Sequence, residues 1–313
     1  MTITHISSEK IADGFSFLEA PRWFEGSLFL SDFYTHRVLR LRGDDIEEVC
    51  HVPGQPSGLG FMPNGRLRVV SMLTRSLLEW TGNGFDTVAD LSSLLNGTAN
   101  DMVVDSRGNA YIGCFGDDEP GEDAIAPTVI VRVGADGSTR VAADGLNFPN
   151  GMALTDNETV LLVAETFANR ITAFDISSSG DLSRRREWAR FGNESDHWNT
   201  GVGVDALDVL PDGLAADRAG GLWVADASGH GIARIREHGD VTDFVDTGDL
   251  AVYSACIGGD DGTTLYLCCA PPFGTDDPTV SRNAALLRAE IGAPAVVPTA
   301  RPRPRSAQPV GTA

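Results

Sequence analysis

Basic residues are scarce in this 313-residue chain: 24 Lys and Arg stand against 44 Asp and Glu, for a net charge of −20. Such a surface is soluble and repels phosphate, so neither nucleic acid nor an anionic membrane is expected as a partner. Long apolar runs are missing too; none approaches the ~20 residues that span a bilayer. The opening stretch, MTITHISSEKIADG, lacks the basic start and apolar centre of a secretory signal. There are only five cysteines, at 50, 114, 256, 268 and 269, none in C-x-x-C spacing. An odd number, placed mostly in strand-like runs, points to reduced, buried thiols and a cytoplasmic protein. G-x-S-x-G, the phosphate-binding P-loop and H-E-x-x-H are absent, so no serine elbow, nucleotide cradle or zinc-protease helix is expected. No long stretch carries a clean helical period either.

Short β-rich runs bounded by Gly, Asp, Asn and Pro fill the chain instead. They form a recurring unit: a polar-Gly-apolar start, a turn such as DSRGN or DRAGG, an apolar run, a loop, another apolar run. Copies begin near Glu19, Ser57, Asn100, Asn150, Asp212 and Ser254, at spacings of 38, 43, 50, 62 and 42 residues. Units of this length with several strands each build a β-propeller, here all-β with six blades. A β-sandwich would not produce six matched copies end to end. The N-terminal run KIADGFSF is expected to complete the last blade. Residues 1–292 should form one domain, and 293–313, rich in Pro with scattered Arg, a mobile or surface-draped tail.

Three copies share the frame Pro-X-Gly-apolar: PSGLGF, PNGMAL and PDGLAA. In a propeller, equivalent residues of successive blades lie at one height around the axis. Position X is therefore the side chain shown to the channel, with Pro fixing the approach and Gly admitting close backbone. Glu19, Ser57, Asn100, Asn150, Asp212 and Ser254 should form a ring, and every member carries a side-chain oxygen. Hard divalent cations prefer such ligands, with calcium, magnesium or manganese more natural than zinc. A water-filled channel lined by polar strand ends is the plainer alternative.

The pieces LEAPRW, ND-x-x-VD at 100–105, PNGMAL, PDGLAAD-x-x-GGLWVA and YSACIGGDDGTTLYLCCA, in this order, resemble the senescence marker protein/regucalcin/gluconolactonase family. The resemblance runs from about residue 12 to 291. It implies a six-bladed propeller that hydrolyses lactones with one divalent ion, calcium as first expectation, held by Glu19, Asn150 and Asp212. Asn100 is implied as a further ligand or a substrate contact, and Ser254 occupies the last-blade site. One departure stands out. Sugar-lactone members have an Arg two residues before the third-blade Asn; here Thr98 takes that substrate-facing position, which puts an aldonolactone substrate in doubt.

The expected function is metal-dependent hydrolysis of a small lactone or related ester. Asp212 is the first candidate for general base and Asp101 the second, since strand alternation turns Asp101 away from the channel unless the strand starts irregularly. Two rivals remain. One is organophosphate or fluorophosphate hydrolysis, which the set Glu19, Asn100, Asn150 and Asp212 also fits. The other is a calcium- or small-molecule-binding propeller without turnover. Loops 115–128, 191–211 and 270–283 are long and should surround the ring and set substrate choice. His36 and His230 are expected at the substrate; Phe33, Phe115, Phe273, His197 and Trp198 are further lining candidates. Asp32, Glu165 and Asp226 end second strands on the same face, more as turn caps than as catalysts.

Overall fold

The computed structural model describes residues 2–116, 126–192, 209–293 and 295–296. Its strands group into six sheets, the blades of a propeller. In blades 1 to 5 the chain runs outward from the axis, each strand pairing antiparallel with the one before it. Blade 1 spans Leu18 to His51, blade 2 Pro56 to Asp90, blade 3 Ala99 to Leu146, and blade 4 Pro149 to Arg190. Blade 5 spans Pro211 to Asp246 and blade 6 Ala251 to Glu290. Among the described residues the only helices are short 3₁₀ turns.

The burial pattern follows from this order. A second strand such as SLFLSD (27–32) or AYIGC (110–114) has a strand on each side and a blade over each face, so every residue is buried. That explains the continuous apolar runs without alternation. Fourth strands lie at the rim, and LSRRREWAR (182–190) is mostly exposed and charged. Each blade interface is an apolar layer, such as Val70, Leu77, Met102 and Ile112 between blades 2 and 3. The interface of blades 6 and 1 includes Trp23 stacked on Tyr266, centroids 5.6 Å apart. The DSRGN and DRAGG turns close alike: Asp105 accepts from the N–H groups of Arg107 and Asn109, and Asp217 from those of Ala219 and Gly221.

The N-terminus closes the ring as expected: Glu9–Phe15 is the outermost strand of blade 6, antiparallel to Ala284–Glu290. One strand was not anticipated. Thr4–Ser7 adds to the edge of blade 5, parallel to Val241–Asp246. At the other end Ala295 bridges Asp217 and donates to the Gly262 carbonyl, so the segment read as a tail begins docked on blades 5 and 6. Residues 297–313 lie outside the described residues. All five cysteines are free and four are buried; burial pushes the Cys50 and Cys256 thiols up to about 12.

Candidate functional site

The six inner strands touch one another around the axis, and Ala251–Gly258 contacts Leu18–Phe24 to complete the circle. In blades 2 to 5 the pairing with the second strand slips between the residue before X and the one two after it: Pro56/Leu59, Ala99/Met102, Pro149/Met152 and Pro211/Leu214. X and its successor therefore occupy a β-bulge. A bulge re-aims side chains that strict alternation would send to opposite faces. In blade 1 the slip falls between Glu19 and Arg22, in blade 6 between Val252 and Ser254. After X, Gly151 and Gly213 have no room for a Cβ: it would meet Asp212 and Gly213 backbone in one case and Ser254 in the other.

The six X side chains are buried and joined in two chains. Ser57 Oγ donates to Asn100 Oδ1 at 3.0 Å, and Asn100 Nδ2 donates to Asn150 Oδ1 at 2.8 Å. Asn150 in turn hydrogen-bonds Asp212 and donates to Thr166 Oγ1 at 3.2 Å. Across the channel Ser254 hydrogen-bonds Glu19. Asp101 joins the group because its strand does start irregularly. Its Oδ1 accepts from Arg22 Nη2 at 3.0 Å and from its own chain at Met102 N at 2.8 Å. Arg22 thus reaches from blade 1 to blade 3, where it also bonds the Met102 carbonyl.

Three buried carboxylates gather here and one guanidinium, Arg22, acts on two of them, Asp101 and Glu19. Burial, then the Asp101 charge, pushes Glu19 up to about 8, against the opposing Ala20 N–H and Ser254 hydroxyl. Asp212 is raised well above the usual range by burial, then by Glu19 and Asp101. Asp101 is raised by burial and partly restored by Arg22. Asp212 Oδ1 is buried with no hydrogen-bond partner. A bare acceptor beside a second carboxylate and two amide oxygens fits a hard divalent cation, which relieves both the repulsion and the orphaned oxygen. Among the described residues no three His, Cys, Asp or Glu converge as a metal cluster. Only two carboxylates belong to this ring, and its other donors are amide and hydroxyl oxygens.

The mouth is apolar over part of its rim. Two residues before X stand Phe17, Phe148 and Leu210 in blades 1, 4 and 5, but Gln55 and Thr98 in blades 2 and 3. Phe17 packs on Phe33 and on Tyr253, centroids 5.4 and 4.6 Å apart. Phe148 packs on Phe115 and Phe167 at 4.6 and 5.2 Å. Phe17, Tyr253, Phe115, Phe148 and Phe167 share one cluster with Leu210, Ala227 and Ala251. Tyr253 is near the ring, since Asp212 and Glu19 add to the burial that raises its phenol. A cavity of about 500 Å³ lined by Phe24, Phe61, Trp80 and Arg40 lies between blades 1 and 2, away from the ring.

Thr98 is half-buried, and its carbonyl accepts from Phe115 N. The His36 ring stacks on His51 of the outermost strand, centroids 5.7 Å apart. His230 is exposed and its carbonyl accepts from Thr247 N. Phe273 is 60% exposed. His197, Trp198 and most of loops 115–128 and 191–211 lie outside the described residues. Sequence reasoning missed Arg22, Phe17, Phe148, Phe167, Tyr253 and Thr166. Phe17 and Phe148 had a signal, since two residues before X on a strand is the next layer of the same face. Arg22 had none, because its partner is 79 residues away.

Comparison with known proteins agrees with this fold. Regucalcin of Danio rerio is 25% identical over 265 residues, covering 80% of this chain and 82% of that protein. Pentonolactonase XacC of Haloferax volcanii is 26% identical over 215 residues, 66% of this chain and 65% of the relative. The structure of a calcium-binding protein, regucalcin, from Agrobacterium tumefaciens superposes with a TM-score of 0.74 at 15% identity, over 95% of this chain and 99% of that one. Residues 17–270 match the family described as the SMP-30/Gluconolactonase/LRE-like region. Six blades, an oxygen-lined axis and a match over most of its length make this chain a member of that family.

Proposed function

We propose that the protein hydrolyses a small lactone or related ester, with one divalent cation, calcium first, at the axial ring. The observation that carries the reading is the unpartnered, buried Asp212 Oδ1 beside Glu19. Glu19, Asn150 and Asp212 would hold the ion, with Asn100 as fourth oxygen donor. When bound, such an ion polarises the carbonyl and stabilises developing negative charge, worth several kcal/mol. Asp212 takes the proton from the attacking water through the carboxylate oxygen it does not give the ion, because a ligand carboxylate can reach a water beside that ion. Asp101 is the poorer base, since Arg22 and Met102 N already occupy Oδ1.

The rim supports a choice of substrate class. Phe17, Phe148 and Leu210 favour an alkyl or aryl substituent on the lactone ring, and Thr98 offers one hydroxyl where sugar-lactone members resembling this chain carry an Arg. The relatives' names support lactone chemistry: one is a pentonolactonase and another, from Zymomonas mobilis, a gluconolactonase. A net charge of −20 is unsuited to nucleic acid or anionic membrane, no described helix is long and apolar enough to cross a membrane, and the free thiols suit the cytoplasm.

The test is a panel of alkyl, aryl and aldonic lactones plus a phosphotriester, assayed with calcium, magnesium, manganese or zinc and again with chelator. Chelator-sensitive turnover, fastest on alkyl or aryl lactones, is expected. Phosphotriester turnover exceeding every lactone would shift the assignment to the rival hydrolase. Binding of an ion without turnover of any substrate would leave a binding protein.

A further inference from the structure

We infer that Asp32, Glu165 and Asp226 are positioning residues that aim Glu19, Asn150 and Asp212, by gripping the chain just before each of them. This rests on the proposal that those three ring residues hold the ion. The residue before X pairs with the last residue of the second strand: Leu18 with Asp32, Pro56 with Ser71, Ala99 with Cys114, Pro149 with Glu165, Pro211 with Asp226. The equivalent strand of blade 6 ends at Ala270. Acids therefore stand at this place in blades 1, 4 and 5 alone, the blades that carry Glu19, Asn150 and Asp212.

Each acid does the same work. Asp32 Oδ1 accepts from the N–H groups of Ser16 and Phe17 at 3.0 and 3.1 Å. Glu165 Oε2 accepts from Asn147 N at 2.9 Å. Asp226 Oδ1 accepts from Leu210 N at 3.0 Å. All four N–H groups lie two or three residues before X, on the connection that leads into the bulge. A backbone bond to this connection is common to five blades, for example Met72 N to Gln55 O and Phe115 N to Thr98 O. What blades 1, 4 and 5 add is a charge-assisted bond, about twice as strong as a neutral one.

The acids are themselves held. Arg37 and Thr35 bond Asp32, Arg170 and Thr172 bond Glu165, and the Ser228 N–H and hydroxyl bond Asp226. None of these carboxylates hydrogen-bonds a ring side chain among the described residues; the Asp226 charge also helps raise Asp212, and the grip itself passes through the backbone. A ligand set needs this more than a polar channel does. Partners behind the ligands fix ligand orientation, and losing one typically costs about 10- to 100-fold in metal affinity.

The experiment compares Asp226→Ala, its conservative partner Asp226→Asn, and Ser71→Ala at the matching place in blade 2. Calcium affinity is measured by titration calorimetry well below each Tm, and metal-free crystal structures locate Asp212. Asp226→Ala should weaken calcium by about 10- to 100-fold and displace Asp212. Asp226→Asn, which keeps an acceptor for Leu210 N, should recover most of both, and Ser71→Ala should change neither. Glu165→Met, read at Asn150, repeats the test if Asp226→Ala does not fold. Unmoved Asp212 with unchanged affinity, or equal loss in Ser71→Ala, overturns the inference. If wild-type protein binds none of the four divalent ions, the ion assignment falls, and the position of Asp212 in the metal-free variants still decides the positioning role.

Discussion

Asp212 and Ser57 stand in the same Pro-X-Gly frame, yet their surroundings separate them. Ser57 is satisfied by Asn100, whereas Asp212 keeps a bare buried oxygen. Asp212→Asn retains shape and one ligand oxygen but loses charge and base. Turnover at saturating metal should fall by about 100- to 10,000-fold, while Ser57→Ala should lose on the order of 1 kcal/mol, one hydrogen bond. Steady-state kinetics on folded variants checks both; near-normal turnover in Asp212→Asn would make Asp212 a ligand only. Arg22 gives a second case at this scale. Its side chain is 20% exposed and that of Asp101 7%, so Arg22→Met strands a buried charge and should destabilise by about 3–5 kcal/mol. Arg22→Met with Asp101→Asn should recover much of that loss in urea melts. Additive losses would mean the pair is not coupled.

At the scale of the element, the inner strand is a bulged strand whose spare residue faces the axis. Gly58, Gly151 and Gly213 all lack room for a Cβ, so each Gly→Ala overpacks the hub, by about 1–3 kcal/mol. Function should separate them. Gly213→Ala pushes between Asp212 and Ser254 and should weaken metal binding as well as stability. Gly58→Ala presses on Asp101 and Met102 backbone and should act chiefly on stability. Melting and calcium titration on the same samples test the split. The second strands add a pH dependence. Glu165 is held below its ordinary 4.5, and Asp32 below 3.8, by hydrogen-bonded Arg and hydroxyl partners that outweigh their burial. Both pKa values are depressed in the folded state, so the stabilisation is complete above those ordinary values and disappears as pH falls through the lower folded ones. Acid melts of Glu165→Gln should therefore show a smaller loss of Tm between pH 6 and pH 3 than wild type. Parallel curves would contradict it.

The whole molecule is a closed ring, and closure depends on its N-terminal residues. Glu9–Phe15 supplies the fourth strand of blade 6, while Thr4–Ser7 only lengthens blade 5. Removing residues 2–8 should lower Tm modestly. Removing 2–15 exposes a sheet edge and the Phe15 contact in the core, and should leave no cooperative melt. Calorimetry of both truncations distinguishes these outcomes. The ring also links binding to stability: an ion at 100 times its Kd should stabilise the fold by ~2.7 kcal/mol, in wild type but not in a Glu19→Ala variant.

The repeat and the blade count were legible in the sequence because each rests on local chemistry, and the closing strand followed from the count, since a ring must join its two ends. Turns need Gly and Asp, strands need apolar runs, and copies of one unit repeat the same spacing. The ring was legible for the same reason, since equivalent positions of a repeat must share a height around the axis. Family resemblance picked Glu19, Asn150 and Asp212 out of that ring; the structure adds an acid at the strand end behind each of them and a serine behind Ser57. What chain order could not supply is contact between residues far apart in it. The Arg22–Asp101 pair crosses from blade 1 to blade 3, His36 turns to His51 at the rim, and the bulge that aims X exists only once two strands pair out of step. The acids at 32, 165 and 226 were visible as strand ends. Only pairing register placed them behind Glu19, Asn150 and Asp212, because register is set by how strands meet in space.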